Sequence, residues 1–423
     1  MKHLKSPVWF PYAQHKLMAD PLAVTSAEGV YLTLESGEKL IDSISSWWSV
    51  IHGYNHPRIT QALTDQANRL PHAMLGGLIH EPAKELAQRL VDITPDGLNH
   101  VFFSDSGSVG CEVALKMALQ YWINKGNTEK KRFLALNKGY HGDTFGVMAV
   151  SNPEDDCPSM HHVFKHQLPK HIFAPEPSMG FKPDKTKLSS DIKTFKAILD
   201  AHHHEIAAFI CEPIMQGAGG FNMYAPDYLA TITQLCRDYD VKIIYDEVAT
   251  GFGRTGTLFA AHHANTCPDI MVLGKALTAG YCGHSATLAS SDIFNAFYSD
   301  NPDHALMHGP TFMGNPMACR VACTSIDLFL ENHYLDKIKT IEEILKKRLL
   351  NLSHSSIRST RVLGATGVIE VNTAADWHGI QTFAQKRGVF LRPFDRFVYT
   401  TPPYVISVTD LHQICDVICE WFS

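Results

Sequence analysis

Two strand-like runs in the middle of the sequence end on groups that can do chemistry. Val241-Lys242-Ile243-Ile244-Tyr245 closes on Asp246-Glu247, and Ile270-Met271-Val272-Leu273 closes on Gly274-Lys275. Ligands of an open parallel sheet bind beyond the carboxyl ends of its strands, so this acid and this amine are expected to face one crevice. Pyridoxal phosphate needs such a pair. A lysine forms a Schiff base with its aldehyde, and a carboxylate keeps the pyridine nitrogen protonated so that the ring withdraws electrons. Taken singly, Lys275 could be a solvated strand-end lysine and Asp246 a turn residue.

A third feature favours the ligand. Asp105-Ser106-Gly107-Ser108 lies between Val101-Phe102-Phe103 and a helical repeat in which Val109, Val113, Met117 and Tyr121 recur every four residues. A Gly/Ser turn that opens a helix offers free N–H groups, hydroxyls and the positive end of the helix dipole, which suits a phosphate. Without a ligand the same turn is a plain serine N-cap.

Other patterns carry less. Gly251-Phe252-Gly253-Arg254-Thr255-Gly256 matches G-x-G-x-x-G, but Asp246 to Thr250 separate it from the strand and no amphipathic helix opens at Gly256. The strand about twenty residues on ends in lysine, where a dinucleotide fold needs an acid. No G-x-x-x-x-G-K-[ST] occurs. The 24 histidines, including His161-His162, His202-His203-His204 and His262-His263, make no H-E-x-x-H pattern, so no metal site is expected.

Those groups must be positioned by strands alternating with helices. Strands are predicted at Val101–Phe103, 132–136, 206–211, 241–245 and 270–273. Helices are predicted around Leu86 to Val91, over about 109–125, and from Pro226 to Tyr239. The alternation implies a mostly parallel sheet wrapped by helices. Towards the C-terminus a helix over about 335–352, one strand over 361–371, a helix ending near Gly388 and a strand at 389–391 read as a smaller α+β domain. Strands at 29–34 and 39–41 are expected to complete it. The expected division is a large domain of residues 49–329 and a small one built from 1–48 and 330–423.

With 423 residues, 45% of them hydrophobic and 19% charged, the chain is globular rather than disordered. Its net charge of −6 gives no reason to expect nucleic acid or an anionic membrane as partner. No apolar run reaches bilayer-spanning length, and Met1 to Gln14 lack the apolar core of a signal peptide. The ten cysteines, with Cys319/Cys323 and Cys415/Cys419 four apart, fit reduced thiols on helix faces in a cytoplasmic protein. The sequon Asn351-Leu352-Ser353 is read as chance.

The stretch from Asp246 to Gly256, followed by Pro268-Asp269-Ile270 and Gly274-Lys275-Ala276-Leu277, resembles the signature of the class III pyridoxal-phosphate aminotransferases. Further stretches narrow the likeness. They are Ser45-Ser46-Trp47-Trp48 with Ile51 to Pro57, Asp105 to Ser108, Gly139 to Thr144, Gln216 to Gly220, His308 to Pro316, and Arg392-Pro393-Phe394 ahead of Tyr399 and Pro402-Pro403-Tyr404. They resemble the branch that aminates 8-amino-7-oxononanoate, with S-adenosyl-L-methionine as donor and lysine as the alternative donor. A family member acting on another ω-amino acid or amine is the other reading. The likeness runs from about Trp9 to Tyr404.

The resemblance implies a fold-type-I α/β homodimer with pyridoxal 5'-phosphate bound at the subunit interface. Lys275 would carry the cofactor, Asp246 would pair with its ring nitrogen, and Gly107 and Ser108 would hold its phosphate. Tyr140 would stack on the ring as a third catalytic group. Pro310 and Thr311 would reach the phosphate from the partner subunit. Tyr12, Trp47, Tyr140, Asp143, Arg254, Gly309, Arg392 and Tyr399 would line the substrate site. Two places depart from the family pattern: Tyr245 stands where a small residue is common, and Gly280-Tyr281-Cys282-Gly283-His284 after the lysine is unusual.

Overall fold

The computed structural model describes residues 7–154 and 160–423, so Cys157 and the start of the N-terminal segment lie outside the described residues. Seven strands build the central sheet. Their order is Leu98–Ser104, Ser285–Ser290, Ile270–Leu273, Lys242–Asp246, Ile206–Cys211, Arg132–Leu136 and Ile172–Ala174. Only Ser285–Ser290 runs antiparallel, to both of its neighbours. The sequence pattern does not reveal that strand, because Ser-Ala-Thr-Leu-Ala-Ser has no apolar run. Ile172–Ala174 is too short to show a period.

Side chains alternate between two cores, as strand geometry requires. Ile243, Tyr245, Met271 and Leu273 pack on one face with Leu86, Leu90, Leu229 and Ile232 of the helices Glu81–Ile93 and Pro226–Asp238. Ile244, Ile270 and Val272 pack on the other with Val113, Met117 and Tyr121 of the helix Gly107–Asn124. Burial on both faces explains why these strands read as continuous apolar runs. This is the fold-type-I α/β architecture. Asp246 lies opposite Val272 in the parallel register, so the strand ends bearing Asp246 and Gly274-Lys275 emerge on the same side.

The C-terminal region differs from the sequence pattern in one place. Residues 361–371 are not one strand: Ile357–Leu363 and Thr366–Val371 form an antiparallel hairpin. The chain reverses at Gly364, whose φ is +53° and where a Cβ would come within 2.4 Å of the Gly256 nitrogen. Phe397–Thr400 pairs with the second strand. The helix Tyr334–Leu349, with Ile338, Ile341, Leu345 and Leu349 buried, packs on this sheet and on the helix Val408–Trp421. Cys319/Cys323 and Cys415/Cys419 sit one turn apart on helices, and the nine cysteines among the described residues are all free.

The two halves of the sequence meet in a four-stranded sheet of Val24–Glu28, Tyr31–Leu34, Lys39–Asp42 and Val389–Phe390. There Val389 pairs with Ile41 and Phe390 with Asp42. Directly afterwards Ser45, Ser46, Trp47 and Trp48 adopt φ of 50°, 45°, 59° and 71°, a left-handed helical turn. It is closed by bonds from Trp48 N–H to the Ile44 carbonyl and from Ser49 N–H to the Ser45 carbonyl, both 2.9 Å. Such a conformation costs an L-residue about 1–2 kcal/mol, so the surroundings must impose it. No helix among the described residues is long and apolar enough to cross a membrane.

Candidate active site

Asp246 and Lys275 share a cavity of about 150 Å³ with Gly107, Ser108, Tyr140 and Glu212 on its walls. Asp246 is buried and held twice: Oδ2 lies 2.8 Å from Nδ1 of His141, and Oδ1 accepts the Val248 N–H at 3.0 Å. The Lys275 Nζ sits 4.6 Å from the centre of the Trp48 ring. Burial pushes its pKa down, against the pull of Asp246 and Glu212. Glu212 follows the Ile206–Cys211 strand and accepts the N–H groups of Tyr140 at 3.0 Å and Gly217 at 2.8 Å. Burial pushes its pKa up to about 7.

The helix end of the cavity is built by close approach. Ser106 caps the helix by accepting the Val109 N–H at 3.3 Å, which leaves the N–H groups of Gly107 and Ser108 without helical partners. At Gly107 a Cβ would lie 2.6 Å from Cγ1 of Val248. The Ser108 hydroxyl accepts the N–H groups of Asp143 and Thr144, both at 3.0 Å, and so pins the 140–144 loop. Gly142, at φ +121°, passes so close that a Cβ would meet that hydroxyl.

Two aromatic clusters lie beside the cavity, the first reaching it through Tyr140 and the second joined to the first through Tyr12. In one, the hydroxyls of Tyr12 and Tyr140 are 3.1 Å apart and both donate to Oδ2 of Asp143. His161 holds the other oxygen at 2.9 Å. That bond is the first cause of a lowered pKa at Asp143, while burial raises Tyr12 and Tyr140. In the second, the Arg392 guanidinium lies 4.7 Å over the Trp47 ring, and Tyr12 meets the same ring edge-on at 6.0 Å. A larger hollow of about 490 Å³ adjoins through Tyr140 and His161.

Five expected site residues are not in this group. Arg254 is buried at 1% exposure; Nη1 donates to the carbonyls of Ala365 at 2.9 Å and Pro402 at 3.2 Å, and the group packs 4.8 Å over Tyr404. Arg254 is thus off the cavity wall, with Nε and Nη2 buried and without a hydrogen-bond partner among the described residues. Tyr399 is likewise buried, packed edge-on to Trp48 and against Phe221, so it backs the wall rather than forming it. Gly309, Pro310 and Thr311 lie on the loop before the helix Pro316–Glu331, with Gly309 and Thr311 exposed, away from the cavity of their own chain.

Trp48, His141, Glu212 and His161 are site residues that the sequence reading did not single out. Glu212 had a usable signal, an acid closing an apolar strand, the same one that marks Asp246. His141 and Trp48 stood inside quoted motifs without an assigned role. His161 shows in the sequence only as half of a histidine pair with no metal-binding pattern. Of the two departures, Tyr245 points to the face away from Ile244 and bonds Thr233 at 2.5 Å and Thr266 at 3.0 Å. In the second, His284 is buried and stacked on Phe103, and burial lowers its pKa to about 4.

Comparison with known proteins agrees with this arrangement. The aminotransferase class-III family pattern matches residues 12–422. The chain is 44% identical to an adenosylmethionine-8-amino-7-oxononanoate aminotransferase of Buchnera aphidicola, over 97% of this chain and 95% of that one. It is 42% identical to the enzyme of the same name from Mycobacterium leprae, over 98% and 94%. The crystal structure of the Methanocaldococcus jannaschii enzyme of that name superposes with a TM-score of 0.91 at 30% identity, covering 98% of this chain and 96% of that one. An amine transaminase from an uncultivated Pseudomonas species, in its PLP-bound form, superposes at 0.90 with 26% identity, covering 99% and 98%. This chain belongs to the class-III aminotransferases.

Proposed function

We propose that this chain moves an amino group from S-adenosyl-L-methionine to 8-amino-7-oxononanoate, forming 7,8-diaminononanoate in biotin synthesis, with pyridoxal 5'-phosphate as cofactor. The observation that carries the chemistry is one buried cavity holding Lys275, Asp246 and an open helix N-terminus. Near-full-length identity to enzymes of that name supports the substrates. The residues present fit the cofactor. The first N–H groups of the helix would take the phosphate, the glycine cradle at Gly107 leaves it room, and Asp246 would meet the ring nitrogen.

When bound, pyridoxal 5'-phosphate supplies a carbonyl that takes up the donor's amine and a ring that withdraws electrons from the carbon beside it. Lys275, whose proton affinity burial lowers, accepts the proton from the donor's α-carbon at Nζ and returns it for the acceptor. Asp246, oriented by His141, would hold the proton on the ring nitrogen. Tyr140 would cover the ring, with Trp48 packed on Lys275. Tyr12, Tyr140 and Asp143 bind the amine end of a substrate, and Trp47 and Arg392 receive its carboxylate. Glu212 fixes the Tyr140 and Gly217 backbones.

In this reading the enzyme is a cytoplasmic homodimer, and Gly309, Pro310 and Thr311 complete the cavity of a second copy. The exposure of Met307 and Phe312 on the same loop supports a covered surface there. The parallel pairing of Val389–Phe390 with Lys39–Asp42 supports a small domain of residues 1–48 and 330–423 beside a large one of 49–329. The structural likeness to an amine transaminase favours one second reading, a class III transaminase for other amines. Product analysis decides between them. Loaded enzyme, the keto acid and one donor at a time (S-adenosylmethionine, lysine or 1-phenylethylamine) should give 7,8-diaminononanoate fastest with S-adenosylmethionine. Amination of other ketones in preference to this keto acid would overturn the proposal.

A further inference from the structure

Asp42 does more than end a strand. It is 1% exposed. Oδ1 accepts the Ile44 N–H at 3.1 Å, and Oδ2 accepts the Ser46 N–H at 2.7 Å and the Tyr54 hydroxyl at 2.6 Å. These donors are all neutral; burial raises the pKa of Asp42, and the hydrogen bonds pull it back down. Pairing with Phe390 uses only the Asp42 backbone, and the side chain is left for the turn that follows.

That turn is the left-handed Ser45–Trp48 segment. Backbone donors inside a protein must be paired, and a left-handed turn of L-residues does not persist by its own preference. The Asp42 carboxylate gathers the N–H groups on either side of Ser45, while the Ser45 hydroxyl donates to the Thr401 carbonyl at 2.7 Å. The turn then sends its two indoles different ways. Trp48 goes beneath Lys275 and against Gly217, and Trp47 goes beneath Arg392.

We infer that Asp42 is a positioning residue: its carboxylate holds the left-handed Ser45–Trp48 turn, and through it sets Trp48 against Lys275 and Trp47 against Arg392. The inference rests on the proposed function only where activity is read.

The test uses Asp42→Asn, which keeps one acceptor but turns an amide N–H toward the turn's own donors. Ser46→Gly serves as a relief mutation, since Ser46 is exposed and glycine takes φ 45° without steric cost. At 25 °C the cofactor-free Asp42→Asn protein should keep its far-ultraviolet circular dichroism and lose part of its near-ultraviolet tryptophan band. The loaded enzyme should lose about tenfold or more in kcat/KM for the keto acid, with kcat falling and KM rising together. Adding Ser46→Gly should restore part of both signals. A folded Asp42→Asn protein with the wild-type tryptophan band, kcat and KM would overturn the inference, whatever its melting temperature. If Asp42→Asn alone does not fold, the double variant decides. Recovery of fold and tryptophan band supports a role confined to the turn, and continued failure overturns it. The band is read without substrate, so a wrong substrate assignment would leave that arm of the test standing.

Discussion

Arg392→Ala isolates substrate recognition from the rest of the chemistry. The guanidinium stacks on Trp47, and no carboxylate among the described residues lies within ion-pair distance of it; Asp395, the nearest acid in sequence, is the neighbour of Arg396 instead. A cation held on an aromatic face without an anionic partner is ready to take one from a ligand. A charged hydrogen bond contributes roughly 1.5–3 kcal/mol, and the fork of a guanidinium matches a carboxylate at two points. Truncation should therefore raise KM for the keto acid roughly ten- to a hundredfold, with little change in kcat. Cofactor absorbance should not move, since Arg392 is outside the Lys275 cavity. Arg392→Lys should recover only part of the loss, because an ammonium cannot make the two-point contact. The assay compares initial rates on the keto acid and on its methyl ester. Wild type should favour the acid and Arg392→Ala should not. Equal discrimination by both proteins would refute carboxylate binding by Arg392.

Three further outcomes are expected. Lys275→Ala should abolish turnover, since among the described residues no other amine lines the cavity, yet raise the melting temperature slightly by removing a buried amine; measurable turnover would sink the assignment. Asp246→Asn should bind cofactor and slow proton transfer in single-turnover measurements by orders of magnitude, because a neutral amide does not hold the ring nitrogen protonated. Burial raises Glu247, fully enclosed beside Thr250, Ala260 and Ala261, to about 7 from an unfolded value near 4.5. The folded state thus binds its proton more tightly, so this group's stabilisation is present below pH 4.5 and is lost as pH rises through 7, by a few kcal/mol at most. Melting temperatures of wild type and Glu247→Gln should diverge between pH 5 and 8, and a constant difference would contradict the buried acid.

The doubly buried strands were legible because burial on both faces leaves an uninterrupted apolar run, and strand-end chemistry led directly to Asp246 and Lys275. Ser285–Ser290 escaped because its small residues fit beneath the Gly107–Asn124 helix, where Gly110 packs against Ser285 and Val272. The 361–371 hairpin escaped because one glycine turns it. Within the site, Glu212 and His141 act through contacts 72 and 105 residues apart in sequence, a distance no local pattern spans. The aromatic clusters could be placed only by the family resemblance, since a tryptophan pair reads equally well as core. Arg254 shows the reverse: its motif is conspicuous, but its guanidinium is enclosed, with Nη1 on two backbone carbonyls and Nε and Nη2 buried without a hydrogen-bond partner among the described residues.

The parallel pairing of Ile41 with Val389 also fixes when the site can exist. It closes a loop of about 350 residues, and ordering a flexible loop of that length costs on the order of 5 kcal/mol. No contact formed earlier in synthesis can substitute for it, because the Trp47 turn leaves one strand of the pair and Arg392 leaves the other. The seven-stranded sheet can collapse around its own shorter connections while this clasp is still open. A ribosome-bound chain that has not yet released Val389 therefore holds Lys275 and Asp246 but not the contact of Arg392 with Trp47. On the proposed reading, the carboxylate site therefore depends on both ends of the chain and is lost when they come apart.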